Sequence, residues 1–215
     1  MGCEGKRQVI RIIVVGSKPS FTYDLIGDFD FGYFANAAIS RKEFFSVKRV
    51  TSVVSTQILL GESELTKQAK CLISKEASQS TILLGKQIFV NFGTHRVERL
   101  SRWHRTKICV RAIGVFGYVR LCMNGTTLHK LKAVAQLILR GEVAAAKPST
   151  GVFCALLAYE RHCLNDDVQI LVSGIGLSSD GYDYIKGSYA RGHVSQDAIY
   201  ANVLIKRGVK FLDFS

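Results

Sequence analysis

Short, almost unbroken apolar runs alternate along this chain with longer stretches in which apolar residues recur at helical spacing. Val9 to Val15 reads Val-Ile-Arg-Ile-Ile-Val-Val, the pattern of a parallel strand covered on both faces. The run stops at Gly16-Ser17-Lys18-Pro19-Ser20. Phe29 to Ala35 predicts a second strand ending at Asn36, and Val50 to Ser55 a third ending at Ser55-Thr56. Glu62 to Ile73 has helical spacing, with Leu65, Ala69 and Leu72 on one face. Thr81 to Phe92 and Lys107 to Val119 are strand-like, with a basic segment, Thr94 to Arg105, between them. Thr127 to Arg140 predicts an amphipathic helix with Gly141 as its C-cap. Pro148 and Ser149 halt the chain, and Thr150-Gly151 open an apolar helix that runs from Gly151 to Cys163. Val168 to Val172 predicts a buried strand that releases Ser173-Gly174 into a loop. A last helix, His193 to Arg207, would turn Ile199, Val203 and Leu204 inward and take Gly208 as its cap; Val209 to Phe214 would be the closing strand.

Helix alternates with strand over most of the chain, which predicts the α/β class with a mostly parallel central sheet flanked by helices. The 215 residues show no repeat, linker or low-complexity segment. They read as one domain, 1–215, long enough to bury a sizeable core.

Charge narrows the choice of partner. Twenty-nine Lys and Arg against 17 Asp and Glu give a net +12, which favours nucleic acid, an anionic membrane surface or a negatively charged substrate. The basic residues are spread along the chain, with local clusters at Arg96–Lys107 and Arg191–Lys210. That spread speaks against nucleic acid, as does the lack of a zinc, homeodomain or RRM signature. Six cysteines (Cys3, Cys71, Cys109, Cys122, Cys154, Cys163) form no C-x-x-C pair and read mostly as buried thiols in a reducing cytoplasm. No apolar run nears the ~20 residues needed to span a membrane, and there is no secretory h-region. Met1-Gly2-Cys3 has the start of a myristoylation signal, but Lys6 stands where Ser or Thr is expected. The expected location is the cytoplasm.

The chemistry gathers in two places. A strand feeding the small-residue loop Gly16–Ser20 is how α/β folds build a nucleotide site, because small residues let the backbone approach a ligand. Asn36 and Ser55-Thr56 end two further strands, so a single polar rim is expected. The second place is Lys147 to Asp213. There a helix start at Ser149-Thr150-Gly151 and a strand end at Ser173-Gly174 lie on one edge of a sheet, where free N–H groups attract phosphate. His193 follows Gly192 at a helix start, with Asp197 one turn later on the same face. The helix N-terminus disfavours imidazolium and the carboxylate favours it, a balance that suits a general base near neutral pH. The other reading is a capping or surface histidine. His95, His104, His129 and His162 read as surface or interface residues. Tyr182 and Tyr184 either donate hydrogen bonds to a leaving phosphate or pack their loop down. Asp28/Asp30 and Asp166/Asp167 lie at or before strand starts, the wrong end for a sugar-nucleotide metal site, so metal-independent chemistry is preferred.

Together these residues resemble the bacterial CMP-sialic-acid-dependent sialyltransferases of glycosyltransferase family 42. The resemblance rests on Ile12-Ile-Val-Val-Gly-Ser-Lys-Pro-Ser20, Asn36, Ser149-Thr150-Gly151-Val152, Val172-Ser-Gly-Ile175, Gly181 with Tyr184, and Gly192-His193 followed by Asp197. It covers roughly residues 9–56 and 147–213, and leaves 57–146 as an acceptor region. It implies a single-domain, Rossmann-like, modified GT-A fold and an inverting transferase that needs no metal. CMP would lie across Gly16, Ser17, Lys18, Pro19, Ser20, Asn36, Ser149, Thr150 and Gly151, with Gly174 and Ser178 also lining the nucleotide. His193 would deprotonate the acceptor hydroxyl, supported by Asp197. Tyr184, helped by Tyr182, would hydrogen-bond the departing phosphate.

The chain departs from the family pattern in three ways. Ser17 replaces the loop asparagine, for which Lys18 could compensate by meeting the phosphate. Ser178 stands at one of the two phosphate-binding tyrosine positions. Only eight residues, Ile185 to Gly192, separate tyrosine from histidine. The donor would be CMP-sialic acid or a related CMP-sugar such as CMP-Kdo or CMP-legionaminic acid, and the acceptor a cell-surface glycan or glycolipid. Peripheral contact with an anionic membrane and an oligomer fit the same picture. The alternatives are an inactive CMP-binding relative and a basic nucleic-acid-binding α/β domain.

Overall fold

The structure, a computed structural model, describes residues 9–18, 27–55, 58, 62–75, 80–84, 148–165, 167–175 and 194–212. Within them lie six strands: β1 (Ile10–Val15), β2 (Asp28–Ala35), β3 (Ser46–Ser55), β4 (Ser80–Leu84), β5 (Val168–Ser173) and β6 (Lys210–Phe211). They form one sheet in the order β4-β3-β2-β1-β5-β6, and every pairing is parallel. Val14 sits opposite Tyr33 on one side and Val172 on the other, so β1 is the inner strand about which the sheet is built. The α/β class with its parallel sheet is as the sequence predicts.

Among the described residues three α-helices and a 3-10 helix cover the sheet: α1 (Glu64–Lys75), α2 (Thr150–His162), α3 (Val194–Lys206) and the 3-10 helix Asn36–Phe44. Side chains alternate across a strand, and the core divides accordingly. Ile12, Val14, Tyr33, Val53, Ile170 and Val172 pack with α2 and α3. Ile13, Val15, Phe34, Val54 and Leu171 pack with the 3-10 helix and α1. With both faces covered, β1 and β5 have no polar side to show, which is why they read as continuous apolar runs.

Local signals start and stop the helices. Ser149 is extended (φ −63, ψ 162) and its hydroxyl accepts from Val152 N at 3.4 Å, as an N-cap does. The last turn of α2 carries Arg161, a cation on the favourable end of the helix dipole. Gly208 ends α3 with φ 88. Its N–H reaches Ile205 O at 2.9 Å and that of Val209 reaches Leu204 O at 3.1 Å, a glycine C-cap.

Several expectations need correction. β3 begins at Ser46 rather than Val50, because its first half exposes Ser46, Lys48 and Arg49 and has no apolar run to read. α1 runs Glu64–Lys75 rather than Glu62–Ile73, and it buries Ala69 and Ile73 most deeply. α3 turns Asp197, Tyr200, Ala201 and Leu204 inward, while Ile199 is 40% exposed. β6 is two residues long instead of six. His162 is buried, with Nε2 3.0 Å from the Tyr33 hydroxyl and its ring against Phe31. Of the described cysteines, Cys154 is buried but Cys71 and Cys163 are exposed. The expected elements at Lys107–Val119 and Thr127–Arg140 lie outside the described residues, as does most of 57–146. Among the described residues no helix is long and apolar enough to cross a membrane.

Candidate functional site

From β1 the chain winds outward through β2, β3 and β4; β5 and β6 then fill the other side. The order therefore reverses between β1 and β5, and the carboxyl edge at such a reversal is where open α/β sheets hold ligands. Because all strands are parallel, Gly16-Ser17-Lys18, Asn36, Ser55 and Gly174-Ile175 all come to that one edge. The polar rim read from the sequence is there.

At the centre of the rim the backbones of β1 and β5 stay in contact past the end of the ladder. Gly16 N donates to Ser173 O at 2.8 Å and Lys18 N to Gly174 O at 3.0 Å. A Cβ on Gly16 would stand 2.1 Å from Gly174 O, and one on Gly174 would stand 2.5 Å from Gly16 O. Both positions thus exclude a side chain, and Gly174 also has φ 70, the left-handed region. The helix start of α2 is drawn to the same point, since Ile175 packs against the Cβ positions of both Gly16 and Gly151.

The N-terminus of α2 is anchored by α3. Asp197 is 0% exposed, and its Oδ1 accepts from Ser149 N at 2.7 Å. Phe153 N donates to Ser149 O at 2.9 Å, and Val152 N to its hydroxyl. Among the described residues no acceptor meets the Thr150 and Gly151 N–H groups. Two open donors at the positive end of a 13-residue helix form an anion-attracting edge.

Two more side chains close the rim. Asn36 has φ 51, and its Oδ1 accepts from Ser55 N at 2.9 Å, joining the ends of β2 and β3. Ser17 Oγ donates to Ala35 O at 3.4 Å. Below the loop lies Arg41, which sequence reasoning missed. It is 4% exposed, and its guanidinium donates to Gly16 O at 2.6 Å and Lys18 O at 2.8 Å. In sequence it stands in Ser40-Arg41-Lys42-Glu43, which reads as a solvated stretch.

The structure thus brings Gly16, Ser17, Lys18, Asn36, Ser149, Thr150, Gly151, Gly174 and Asp197 to one edge. Lys18 is 2% exposed, so the side chain expected to meet a phosphate is covered. Asp197 holds the α2 start through Oδ1, and its expected support of His193 falls on a residue outside the described ones. Pro19, Ser20, Ser178, Tyr182, Tyr184 and His193 lie outside the described residues.

The carboxylates seen early in the chain lie at the opposite edge. Asp30 Oδ1 accepts from Lys48 Nζ at 2.8 Å and Oδ2 from Arg11 N at 3.1 Å. The Lys48 hydrogen bond, then that of Arg11, holds the Asp30 carboxyl below its ordinary range. Asp30 and Lys48 line an open groove of about 240 Å³ with Ile10, Phe31 and Arg49. Among the described residues no three His, Cys, Asp or Glu side chains cluster as a metal site would require.

No protein-family model matches the chain, and no curated protein matches it by sequence. Among solved structures it is similar to the sialyltransferase CST-II in complex with a trisaccharide acceptor and CMP. The identity is 16% and the TM-score 0.48, over 94% of this chain and 79% of that one. It is also similar to the sialyltransferase CstII from Campylobacter jejuni in complex with the substrate analogue CMP-3FNeuAc. There the identity is 14% and the TM-score 0.45, over 95% of this chain and 87% of that one. Both TM-scores lie below 0.5, and what the site can do follows from its own residues.

Proposed function

We propose that this chain is an inverting glycosyltransferase that moves sialic acid, or a related 2-keto acid sugar, from CMP to a glycan acceptor. The observation that carries this reading is the edge where β1, β5 and α2 meet. There the Gly16/Gly174 contact admits no side chain, and it stands beside the open Thr150 and Gly151 N–H groups. Bare backbone next to a helix start suits a nucleotide phosphate, because nothing intervenes between the N–H donors and the anion.

In the proposed step His193 accepts the proton of the acceptor hydroxyl as that oxygen bonds to the anomeric carbon. The bond from that carbon to the phosphate oxygen breaks, and its electron pair leaves with CMP. Tyr184 and Tyr182 donate hydrogen bonds to the departing phosphate, and the α2 N–H groups share its charge. An oxocarbenium-like transition state asks little of the nucleophile, so positioning and leaving-group stabilisation supply most of the rate. With those donors the scheme needs no divalent metal. The net +12 charge draws in the anionic donor and favours an anionic, lipid-linked acceptor at the inner membrane face.

The test of this scheme is the kinetics of His193→Ala and Tyr184→Phe with CMP-sialic acid and CMP-Kdo, read with the configuration of the product by NMR. The proposal expects an inverted product. It expects a loss in kcat of about 100-fold or more for His193→Ala, the scale of a positioned general base. Retention of configuration, or full activity in His193→Ala, overturns the scheme.

A further inference from the structure

Arg41 reaches back from the 3-10 helix and lies under the loop after β1, with its guanidinium fork on the Gly16 and Lys18 carbonyls at 2.6 and 2.8 Å. The two carbonyls on either side of Ser17 are thus drawn to one side. A peptide unit is planar and trans, so the N–H of one residue points opposite to the carbonyl of the residue before it. Turning the Gly16 carbonyl toward Arg41 therefore turns the Ser17 N–H away from it. The neighbouring N–H groups are taken: Gly16 N by Ser173 O and Lys18 N by Gly174 O. Among the described residues the Ser17 N–H meets no acceptor. Ser17 itself is buried, and a buried N–H is almost always paired with protein, water or ligand. The loop thus withholds the carbonyls that would repel an anion and leaves open a donor that would bind one.

We infer that Arg41 is a positioning residue for the phosphate of the bound nucleotide, holding the Gly16–Ser17 peptide so that the Ser17 N–H donates to it. Arg41 does this from behind the loop, without touching the ligand. The inference rests on the CMP-site reading above. A lysine at this position presents its charge at a point and cannot bridge two carbonyls as a planar fork does.

The experiment is titration calorimetry of CMP and of cytidine against the full chain and its Arg41→Ala and Arg41→Lys variants, with Tm measured on each. The wild type is expected to prefer CMP over cytidine. Both variants should lose about tenfold or more of that preference, the scale of one hydrogen bond to a charged group, while their cytidine affinity stays the same. A merely structural role would weaken cytidine and CMP alike, and that result overturns the inference. Preference for CMP retained in both variants also overturns it and leaves the nucleotide reading standing; a wild type that binds neither compound overturns both. If Arg41→Ala does not fold, Arg41→Lys carries the comparison. The Ser17 amide resonance of the wild type then gives a second readout. It is expected to shift with CMP and not with cytidine, and a Ser17 amide unmoved by CMP overturns the inference.

Discussion

Gly16→Ala tests the joint between β1 and β5 on which the site is built. An added Cβ would stand 2.1 Å from Gly174 O, 2.6 Å from Ile175 Cγ1 and 2.8 Å from Gly174 C. Ordinary carbon–oxygen contacts begin near ~3.3 Å, so the two backbones must part by roughly 1 Å. The atoms in the way are mostly main chain and cannot rotate aside. Overpacking of this kind costs about 1–3 kcal/mol. Parting the strands also weakens the Gly16–Ser173 and Lys18–Gly174 hydrogen bonds, each worth about 0.5–1.5 kcal/mol. The sum, about 2–6 kcal/mol if both bonds are lost, is a large share of the ~5–15 kcal/mol that holds a typical domain together. Gly151→Ala is the control. The three atoms nearest its Cβ all belong to the Ile175 side chain, at 3.2 to 3.3 Å, and alanine recovers part of the ~0.5–1 kcal/mol that glycine costs a helix. Urea unfolding followed by circular dichroism should show a much lower midpoint for Gly16→Ala and almost no change for Gly151→Ala, with the slope unchanged in both. A Gly16→Ala protein within about 0.5 kcal/mol of wild type, the range of an ordinary surface change, would refute the tight joint.

Further outcomes follow from the buried polar groups. Asp197→Ala leaves Ser149 N without its 2.7 Å acceptor and should cost about 1.5–3 kcal/mol, as for a hydrogen bond to a charged group; Asp197→Asn, which keeps an acceptor, should cost less. Thermal melts of the pair distinguish the two, and equal losses would contradict the assignment. His162 has its pKa lowered from 6.5, first by burial and then by Arg161. Between that lowered pKa and 6.5 the unfolded chain binds more protons than the folded one, so stability should be full above pH 6.5 and fall as pH drops below it. His162→Gln, which can still bond Tyr33, should flatten that slope in urea midpoints measured across this range. The Tyr200 hydroxyl, pushed up to about 12 by burial, should stay protonated in spectrophotometric titration well past the ordinary range of exposed tyrosines, which an early ionisation would contradict.

What the sequence made legible depended on how local the cause was. β1 and β5 were readable because burial on both faces leaves a mark on every residue. The α2 start was readable because Pro148, Ser149 and Gly151 are each diagnostic within a few positions. The first half of β3 was not, because Ser46-Val47-Lys48-Arg49 joins the sheet through backbone pairing with Asp28 and Phe29 and not through an apolar face. Neither was the 3-10 helix, whose entry depends on Asn36 at φ 51, a conformation no periodicity announces. Arg41, the burial of His162 and the hold of Asp197 on Ser149 escaped the sequence reading for one reason. Their partners lie 23 and 25, 129, and 48 residues away, so their burial is a property of the fold and not of their neighbours.

The central claim is that the β1/β5 edge binds CMP and releases it from a sugar. The most direct measurement is CMP release on mixing the protein with CMP-sialic acid and, separately, with CMP-Kdo, each with and without EDTA. The account predicts release from one of these donors, unchanged by EDTA and lost in His193→Ala. Protein that neither releases CMP nor binds it would contradict the account at its base.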